Sequence, residues 1–189
     1  MAASMISSAV TSATKAAHSA VVSLASATQI TPGSPVPNVS VKVNSPTETL
    51  NFSTLPGKNV IVVVPAAFSP SCSEIQVPEY IGRFKEFEAK GVKGVYVVSV
   101  NDIFVMKAWK KDLVAKAEGG DSQVVFVADD TASFASATGL VFDASSLLGG
   151  PRAKRAAIVI EDGKVLHIAV EDEPPQVTVS SADSVLKAL

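Results

Sequence analysis

Runs of consecutive apolar residues alternate along the chain with stretches in which apolar residues recur every three or four positions. The run at residues 60–64, Val-Ile-Val-Val-Val, is β-branched throughout, which is typical of a strand buried on both faces. The pattern predicts strands at 39–43, 49–52, 60–64, 94–100, 124–128, 156–160 and 165–170. It predicts a helix that begins after Cys72 and ends by Gly91, and further helices at 103–117, 132–137 and 182–189. Strands and helices therefore alternate within one α/β domain.

The order of these elements predicts the topology. Repeated strand–helix units are followed by two strands joined by Glu-Asp-Gly-Lys at 161–164, a hairpin turn, and then by a closing helix. This order predicts a thioredoxin-like sandwich, in which helices flank a central mixed sheet. Right-handed crossovers place the carboxyl ends of its parallel strands at one edge. Pro78 lies inside the helix after residue 72 and is expected to kink it.

The N-terminal segment has a different composition. The first 47 residues contain no Asp or Glu, and their cations are Lys15 and Lys42. An acid-poor segment resembles an organellar presequence, although such presequences usually carry several Arg and this one has none. The alternatives are a helix at 11–27 packed on the domain and a solvated tail. We divide the chain into a targeting segment or extension with a Pro-rich linker, 1–37, and a domain, 38–189.

Length, charge and cysteine content exclude several classes of protein. A chain of 189 residues can bury one good core, and a net charge of −2 gives no electrostatic case for nucleic acid. Its apolar runs are far shorter than the ~20 residues that span a bilayer. A single cysteine forms no internal disulfide and fits a reducing compartment. We expect cytoplasm or mitochondrion; a peroxisome is less favoured because the final Lys-Ala-Leu differs from Ser-Lys-Leu.

That single cysteine, Cys72, follows the strand 60–64 through a short loop and precedes a predicted helix. Unpaired N–H groups at the start of a helix favour a thiolate, so a reactive sulfur is expected here. Each residue also has an ordinary structural interpretation. A lone cysteine is commonly a small buried apolar residue. Ser69 can be a turn hydroxyl, and Pro65 can serve only to shape the loop.

Two segments resemble one known family. Pro65-x-x-x-Ser69-x-x-Cys72 resembles the peroxidatic signature of peroxiredoxins, in which the residue three before the cysteine is usually Thr and sometimes Ser. Residues 99–109 resemble the segment after the next strand in the atypical subgroup that includes the plant and fungal type II enzymes. The resemblance covers about residues 50 to 189, which is nearly the whole predicted domain.

The resemblance implies a role for each matching residue. Cys72 would be the peroxidatic nucleophile, Ser69 would bond to the sulfur or the peroxide, and Pro65 would wall the pocket. Arg155, before the strand at 156–160, matches the active-site arginine of the subgroup and would stabilise both the thiolate and the peroxide. Arginine keeps its charge at all relevant pH values. From the residues alone, Arg152 is nearly as good a candidate, and only the family comparison selects Arg155.

The chain also departs from the family pattern. Gln76 stands where members often carry the His of a His-x-Pro motif, and an amide cannot titrate. Val179 stands where some relatives carry a second, resolving cysteine. The resemblance therefore implies a one-cysteine cycle, in which an external thiol (glutathione with glutaredoxin, or thioredoxin) reduces a sulfenic acid at Cys72. It also implies a homodimer with a contact near Phe104 and Trp109, although these side chains can equally be core residues, and no cofactor. No metal is expected, because the sequence has no cluster of Cys and His.

Other functions match the sequence less well. A cysteine hydrolase needs a histidine base, but His18 lies in the N-terminal segment and His167 in the late hairpin. A Cys-x-x-Cys oxidoreductase is excluded by Ile75, and Gly149-Gly150 alone is no phosphate loop. The remaining alternative is a non-catalytic thioredoxin-like module that acts as a redox sensor or binds a partner. An enzyme consumes many equivalents of peroxide, whereas a sensor stops after one.

Overall fold

The computed structural model describes residues 27–117 and 123–189. Its strands are β1 (Ser40–Val43), β2 (Thr49–Asn51), β3 (Lys58–Val64), β4 (Val92–Ser99), β5 (Val125–Ala128), β6 (Val141–Asp143), β7 (Pro151–Ala153), β8 (Ala156–Glu161) and β9 (Lys164–Val170). Seven of them form one sheet in the order β2-β1-β5-β4-β3-β8-β9, and β6 pairs with β7. The neighbours β3, β4 and β5 run parallel, and the other pairs are antiparallel.

Helices cover both faces of this sheet. They are α1 (Val77–Gly82), α2 (Phe84–Ala89), α3 (Ile103–Lys116), α4 (Ser133–Ala137), α5 (Ser145–Leu148) and α6 (Ala182–Ala188). A π-helical segment, Ser71–Gln76, leads directly into α1, and a 3₁₀ turn, Phe52–Thr54, follows β2. The predicted thioredoxin-like sandwich, a mixed sheet flanked by helices, is confirmed.

Strand β3 forms the centre of two apolar layers. Val60, Val62 and Val64 contribute to one layer, which includes Trp109 and Tyr80 from the helices. The intervening Ile61 and Val63 contribute to the opposite layer, which includes Phe52 and Phe134. Alternate side chains of a strand point to opposite faces, so a continuous apolar run fits a strand covered on both sides. Full burial of one such side chain contributes about 1.5–3 kcal/mol.

The register of the parallel strands fixes the edge at which the cysteine lies. Val64 pairs with Ser99, and Ser99 pairs with Ala128, so β3, β4 and β5 end side by side. The loop to Cys72 leaves β3 there, and α3 begins a few residues beyond the end of β4. The predicted position of the cysteine at the carboxyl edge of the parallel strands is therefore observed.

The helix predicted between Cys72 and Gly91 is observed as three segments, Ser71–Gln76, α1 and α2. The Val77 N–H donates to the Cys72 carbonyl, five residues back, so the first turns are wider than those of an α-helix. Pro78 follows at once and has no N–H to donate, which is consistent with an irregularity at this point. The Ile75 side chain, in the π-helical segment, is 46% exposed, whereas Tyr80 and Phe87 farther along are fully buried.

The short strands β6 and β7 and the helix α5 between them are absent from the sequence prediction. Each strand has three residues, and Gly149 and Gly150 interrupt the apolar pattern before β7.

The predicted turn between β8 and β9 is confirmed. Asp162 and Gly163 have φ angles of 47° and 76°, the two left-handed residues that a tight hairpin turn needs.

The Pro-rich stretch at 31–37 packs against the domain. Ile30 and Val36 are buried, and the Val36 N–H donates to the Gly163 carbonyl at the hairpin turn. The stretch is therefore attached to the fold and is not a free linker, while the division at 37/38 itself stays a prediction.

Residues 1–26 are not among the described residues. The proposed targeting segment up to residue 26, and all but the last residue of the helix considered at 11–27, therefore lie outside them. Within 27–117 and 123–189, no helix has the length and apolar character to cross a bilayer.

Candidate active site

Cys72 is the second residue of the π-helical segment, and its thiol is free. Its side chain is fully buried and belongs to the apolar layer that includes Val64 and Val77. A sulfur surrounded only by aliphatic groups would be an ordinary core cysteine. This sulfur is not surrounded only by aliphatic groups, because the guanidinium of Arg155 lies beside it.

Arg155 contacts the sulfur directly. Its Nη1 donates to Cys72 Sγ at 3.3 Å and to Gln76 Oε1 at 2.6 Å. The Nε and Nη2 atoms both donate to the Pro174 carbonyl, at 2.9 and 2.8 Å. Arg155 is itself only 2% exposed, and it immediately precedes Ala156, the first residue of β8. Two residues 83 positions apart are thus brought together inside the fold.

The charge of Arg155 needs a partner. A buried cation is costly unless an anion lies nearby, and none of the salt bridges found in the described ranges involves Arg155. Its recorded contacts are an amide oxygen, a main-chain carbonyl and the thiol of Cys72. Cys72 is the acidic group among them. A thiolate there would balance the buried guanidinium, and the guanidinium would stabilise the thiolate.

The second candidate arginine lies elsewhere. Arg152 donates to the carbonyls of Val100 and Leu148, so it joins the end of β4 to the end of α5. Its Nε is buried without a hydrogen-bond partner. Burial lowers the pKa of Arg152 from its ordinary value. Of the two arginines that the sequence left open, Arg155 is therefore the one that faces the sulfur.

The loop before Cys72 is closed by its own hydrogen bonds. The Ser69 hydroxyl donates to the Ala66 carbonyl at 3.0 Å, and the Ser73 N–H donates to the Ser69 carbonyl at 2.9 Å. Pro65 is buried directly after β3. The structure thus places Pro65 and Ser69 in the loop that leads to Cys72, with the Ser69 hydroxyl proton directed to Ala66 rather than to the sulfur.

Side chains from the next strand–helix unit hold this loop. Asn101 accepts a hydrogen bond from the Ala67 N–H at 3.0 Å and another from the Ser99 hydroxyl at 2.8 Å. Trp109 donates from Nε1 to Ser73 Oγ at 3.0 Å. Both anchors lie in the segment 99–109, which the sequence singled out as a whole without assigning these contacts.

Comparison with known proteins assigns the family. The Redoxin family model matches residues 31–186. The chain is 50% identical over 158 residues to "Peroxisomal membrane associated protein 20" of Schizosaccharomyces pombe, covering 83% of this chain and 97% of that protein. It is 41% identical over 134 residues to "Peroxiredoxin-2C" of Oryza sativa, covering 70% and 79%. The chain belongs to the peroxiredoxin family.

A solved structure agrees with this assignment. The fold of this peroxiredoxin matches reduced Prx3 of Vibrio vulnificus, crystallised in complex with H₂O₂, with a TM-score of 0.76 and 36% sequence identity. The match covers 85% of this chain and all of that chain. This peroxiredoxin is a thiol peroxidase, an antioxidant oxidoreductase with one cysteine. Of the two functions that the sequence left open, the enzyme is confirmed.

Sequence reasoning missed several residues of this peroxiredoxin that connect the site to the C-terminal region. Gln76, treated as a simple departure from the family pattern, is fully buried and accepts a hydrogen bond from Arg155. Its Nε2 donates to Ser180 Oγ at 3.0 Å, and Ser180 donates to Glu171 at 2.7 Å. The sequence did contain one signal for this role, because a glutamine four residues after the cysteine lies on nearly the same face of a helix and can reach the same neighbours. Nothing local marked Ser180 or Glu171.

Glu171 is expected to make the stability of this peroxiredoxin depend on pH. Burial alone would raise the pKa of Glu171, but hydrogen bonds from Thr178 and Ser180 outweigh burial and hold the pKa below its usual value. A carboxylate with a lowered pKa stabilises the fold above its unfolded pKa of about 4.3, and this stabilisation disappears as the pH falls through the folded value. We expect Glu171→Gln to lower the free energy of unfolding by about 2 kcal/mol at neutral pH.

Urea unfolding of wild type and Glu171→Gln, at neutral and at acid pH, measures this effect. The difference between the two should shrink below about pH 4, where the wild-type carboxylate also becomes protonated. Glu173→Gln is the matched control, because Glu173 is exposed. An equal loss of stability in both variants, or a difference that grows in acid, would contradict the interpretation.

Proposed function

We propose that Cys72 is the nucleophile of this thiol peroxidase and that Arg155 holds its thiolate. The supporting observation is the 3.3 Å contact between two buried groups, Arg155 and Cys72. The Arg155 guanidinium forms no salt bridge with a carboxylate of the described residues. The guanidinium is a planar donor that retains its proton, so it can bond to the sulfur before the reaction and to a peroxide oxygen during it.

The first step transfers one oxygen atom to the sulfur. The thiolate of Cys72 attacks an oxygen of the hydroperoxide ROOH, an S–O bond forms, and the O–O bond breaks. Both electrons of the broken bond leave with RO⁻, which takes a proton and becomes ROH. The product on the enzyme is a sulfenic acid, so the sulfur is oxidised by two electrons and the peroxide is reduced by two. Donors near the leaving oxygen lower the barrier because negative charge develops there.

The second step needs a thiol from outside the chain, because the sequence contains no other cysteine. One external thiol condenses with the sulfenic acid, releases water and leaves a mixed disulfide on Cys72. A second thiol attacks the external sulfur of that disulfide and releases the free enzyme thiol. We propose glutathione with glutaredoxin, or thioredoxin, as the source of these thiols.

Ser69 and Pro65 complete the proposed site. The Ser69 hydroxyl donates to the Ala66 carbonyl in this structure, so its proposed donation to the sulfur or the peroxide requires that hydrogen bond to break. Pro65 has no N–H and is buried, which suits a wall that excludes water. The sulfur is fully covered, and a peroxide therefore reaches it only after neighbouring residues shift.

The reductant is tested by steady-state peroxide consumption. Hydrogen peroxide and an alkyl hydroperoxide are each supplied with glutathione alone, glutathione plus glutaredoxin, or thioredoxin with its reductase. We expect sustained turnover with at least one of these thiol systems and a mixed disulfide at Cys72 in intact-mass spectra. If dithiothreitol supports turnover but none of these systems does, the proposed reductants are wrong, although the peroxidase assignment stands.

We further propose that the enzyme is a homodimer. Phe68, on the loop before Cys72, is 52% exposed, and Phe104, on the first turn of α3, is 67% exposed. Two large apolar side chains near the carboxyl edge of the parallel strands suit a contact with a second copy. Sedimentation velocity of the reduced protein should show a dimer, and a monomer at all accessible concentrations would overturn this proposal.

The proposed compartment is the cytoplasm or the mitochondrion. One relative is named "Peroxiredoxin-2F, mitochondrial". The competing outcome is a peroxisome, because the 50% identical relative is named a peroxisomal membrane associated protein. Microscopy of the full chain fused to a fluorescent protein, with and without residues 1–37, separates these outcomes.

A further inference from the structure

A chain of buried hydrogen bonds leads from the active-site arginine to the C-terminal region. Arg155 donates to Gln76, Gln76 donates to Ser180, and Ser180 donates to Glu171. We propose that Gln76 is a positioning residue, whose amide oxygen holds the Arg155 guanidinium against Cys72 and whose orientation is set by Ser180 and Glu171. This inference rests on the proposed role of Arg155.

The direction of each hydrogen bond follows from the chemistry of the groups. The Glu171 carboxylate can only accept, so the Ser180 hydroxyl must donate its single proton to it. Ser180 Oγ is then free to accept, and it faces the Gln76 amide nitrogen at 3.0 Å. The amide oxygen of Gln76 must therefore point the other way, towards the Nη1 of Arg155. A guanidinium has no acceptor, so the reverse amide orientation would leave two donors facing each other.

The far end of this chain is firmly held. Glu171 accepts hydrogen bonds from the N–H and hydroxyl of Thr178 and from the N–H and hydroxyl of Ser180. The Tyr80 hydroxyl donates to the Ser180 carbonyl at 2.8 Å. Gln76, Tyr80 and Ser180 are all fully buried, so water does not compete for these groups. The position of Ser180 is thus fixed on both its side-chain and main-chain oxygen atoms.

A neutral acceptor suits this position. A carboxylate at residue 76 would pair with Arg155 and compete with the thiolate for its charge. An amide aligns the guanidinium by a 2.6 Å hydrogen bond and adds no charge of its own. The charge of Arg155 is then left for the sulfur, while the Pro174 carbonyl holds the opposite side of the guanidinium.

The test makes two measurements on each variant. The first is the rate of Cys72 oxidation in a single turnover. The second is the ionisation of the thiol across pH, monitored by the ultraviolet absorbance of the thiolate. Gln76→Met removes the side-chain hydrogen bonds to Arg155 and Ser180 at similar volume and should slow oxidation about tenfold. Ser180→Ala removes the hydroxyl acceptor that orients the amide and should slow it about threefold. Gln176→Met, the same change at an exposed glutamine, should have no effect.

A double variant separates positioning from a general structural effect. In an Arg155→Met background, Gln76→Met should cause no further loss of rate and no further change in the ionisation profile. An equal loss in both backgrounds would overturn the inference, as would wild-type behaviour of Gln76→Met and Ser180→Ala. If Arg155→Met alone has no effect, the proposed function fails instead. Circular dichroism confirms folding, and Ser180→Ala keeps the test decisive if Gln76→Met does not fold.

Discussion

Replacement of Cys72 by serine is expected to abolish peroxide turnover with thiol donors, by a factor on the order of a thousand or more. A hydroxyl at this position cannot supply the soft, anionic nucleophile that breaks the O–O bond, and the sequence offers no second cysteine to replace it. The loss should be the same for hydrogen peroxide and alkyl hydroperoxides, because both require the same sulfur. The measurement is peroxide consumption with excess thiol donor, compared with the donor alone.

The control for this variant is Ser71→Ala, which alters the residue next to Cys72 in the same π-helical segment without removing the sulfur. It should retain most of the activity. The thermal unfolding of Cys72→Ser should also stay cooperative, since the two side chains are nearly equal in size. Undiminished turnover in folded Cys72→Ser would refute the assignment of the nucleophile.

Replacement of Arg155 by methionine is expected to slow the oxidation of Cys72 by about 10²–10³-fold. The variant removes the donor that lies 3.3 Å from the sulfur, together with the charge that stabilises the thiolate. The thiolate absorbance at neutral pH should fall in parallel. Arg155→Lys should recover part of the rate, because an ammonium keeps the charge but cannot reproduce the contacts of a planar guanidinium. Stopped-flow measurement of a single turnover gives the rate directly.

Arg152→Met provides the matched control. Arg152 lies three residues away in the same basic segment, but it binds the carbonyls of Val100 and Leu148 and not the sulfur. Its replacement should leave the oxidation rate and the thiolate absorbance close to those of wild type. If both arginine variants lose rate equally, the effect comes from the charge or stability of the segment, and the specific role of Arg155 is contradicted.

The central part of this fold could be predicted from the sequence because its signals are local. The β-branched run before the loop to Cys72 could only be a strand buried on both faces, and the turn at Asp162 and Gly163 needed two left-handed residues. The handedness of the crossovers then placed Cys72 at one edge of the sheet. The choice of Arg155 over Arg152 came from resemblance alone, since both are basic residues in one short segment.

The remaining parts depend on contacts between distant residues. Gln76 and Ser180 are 104 positions apart, and neither carries a local pattern that predicts a hydrogen bond to the other. The π-helical segment Ser71–Gln76 replaces an expected α-helix, although it has no sequence signature besides the proline that follows it. The complete burial of Cys72 likewise results from the packing of several elements, and the loop sequence alone does not predict it.

The most direct test is the site of oxygen transfer after one equivalent of hydrogen peroxide is added to the reduced enzyme without a thiol donor. Peptide mass spectrometry with a sulfenic-acid trap should find one added oxygen atom on Cys72, formed rapidly at neutral pH in wild type and slowly in Arg155→Met. Oxygen found on methionine while Cys72 stays reduced, or equal rates at Cys72 in the two proteins, would contradict a thiolate held by Arg155.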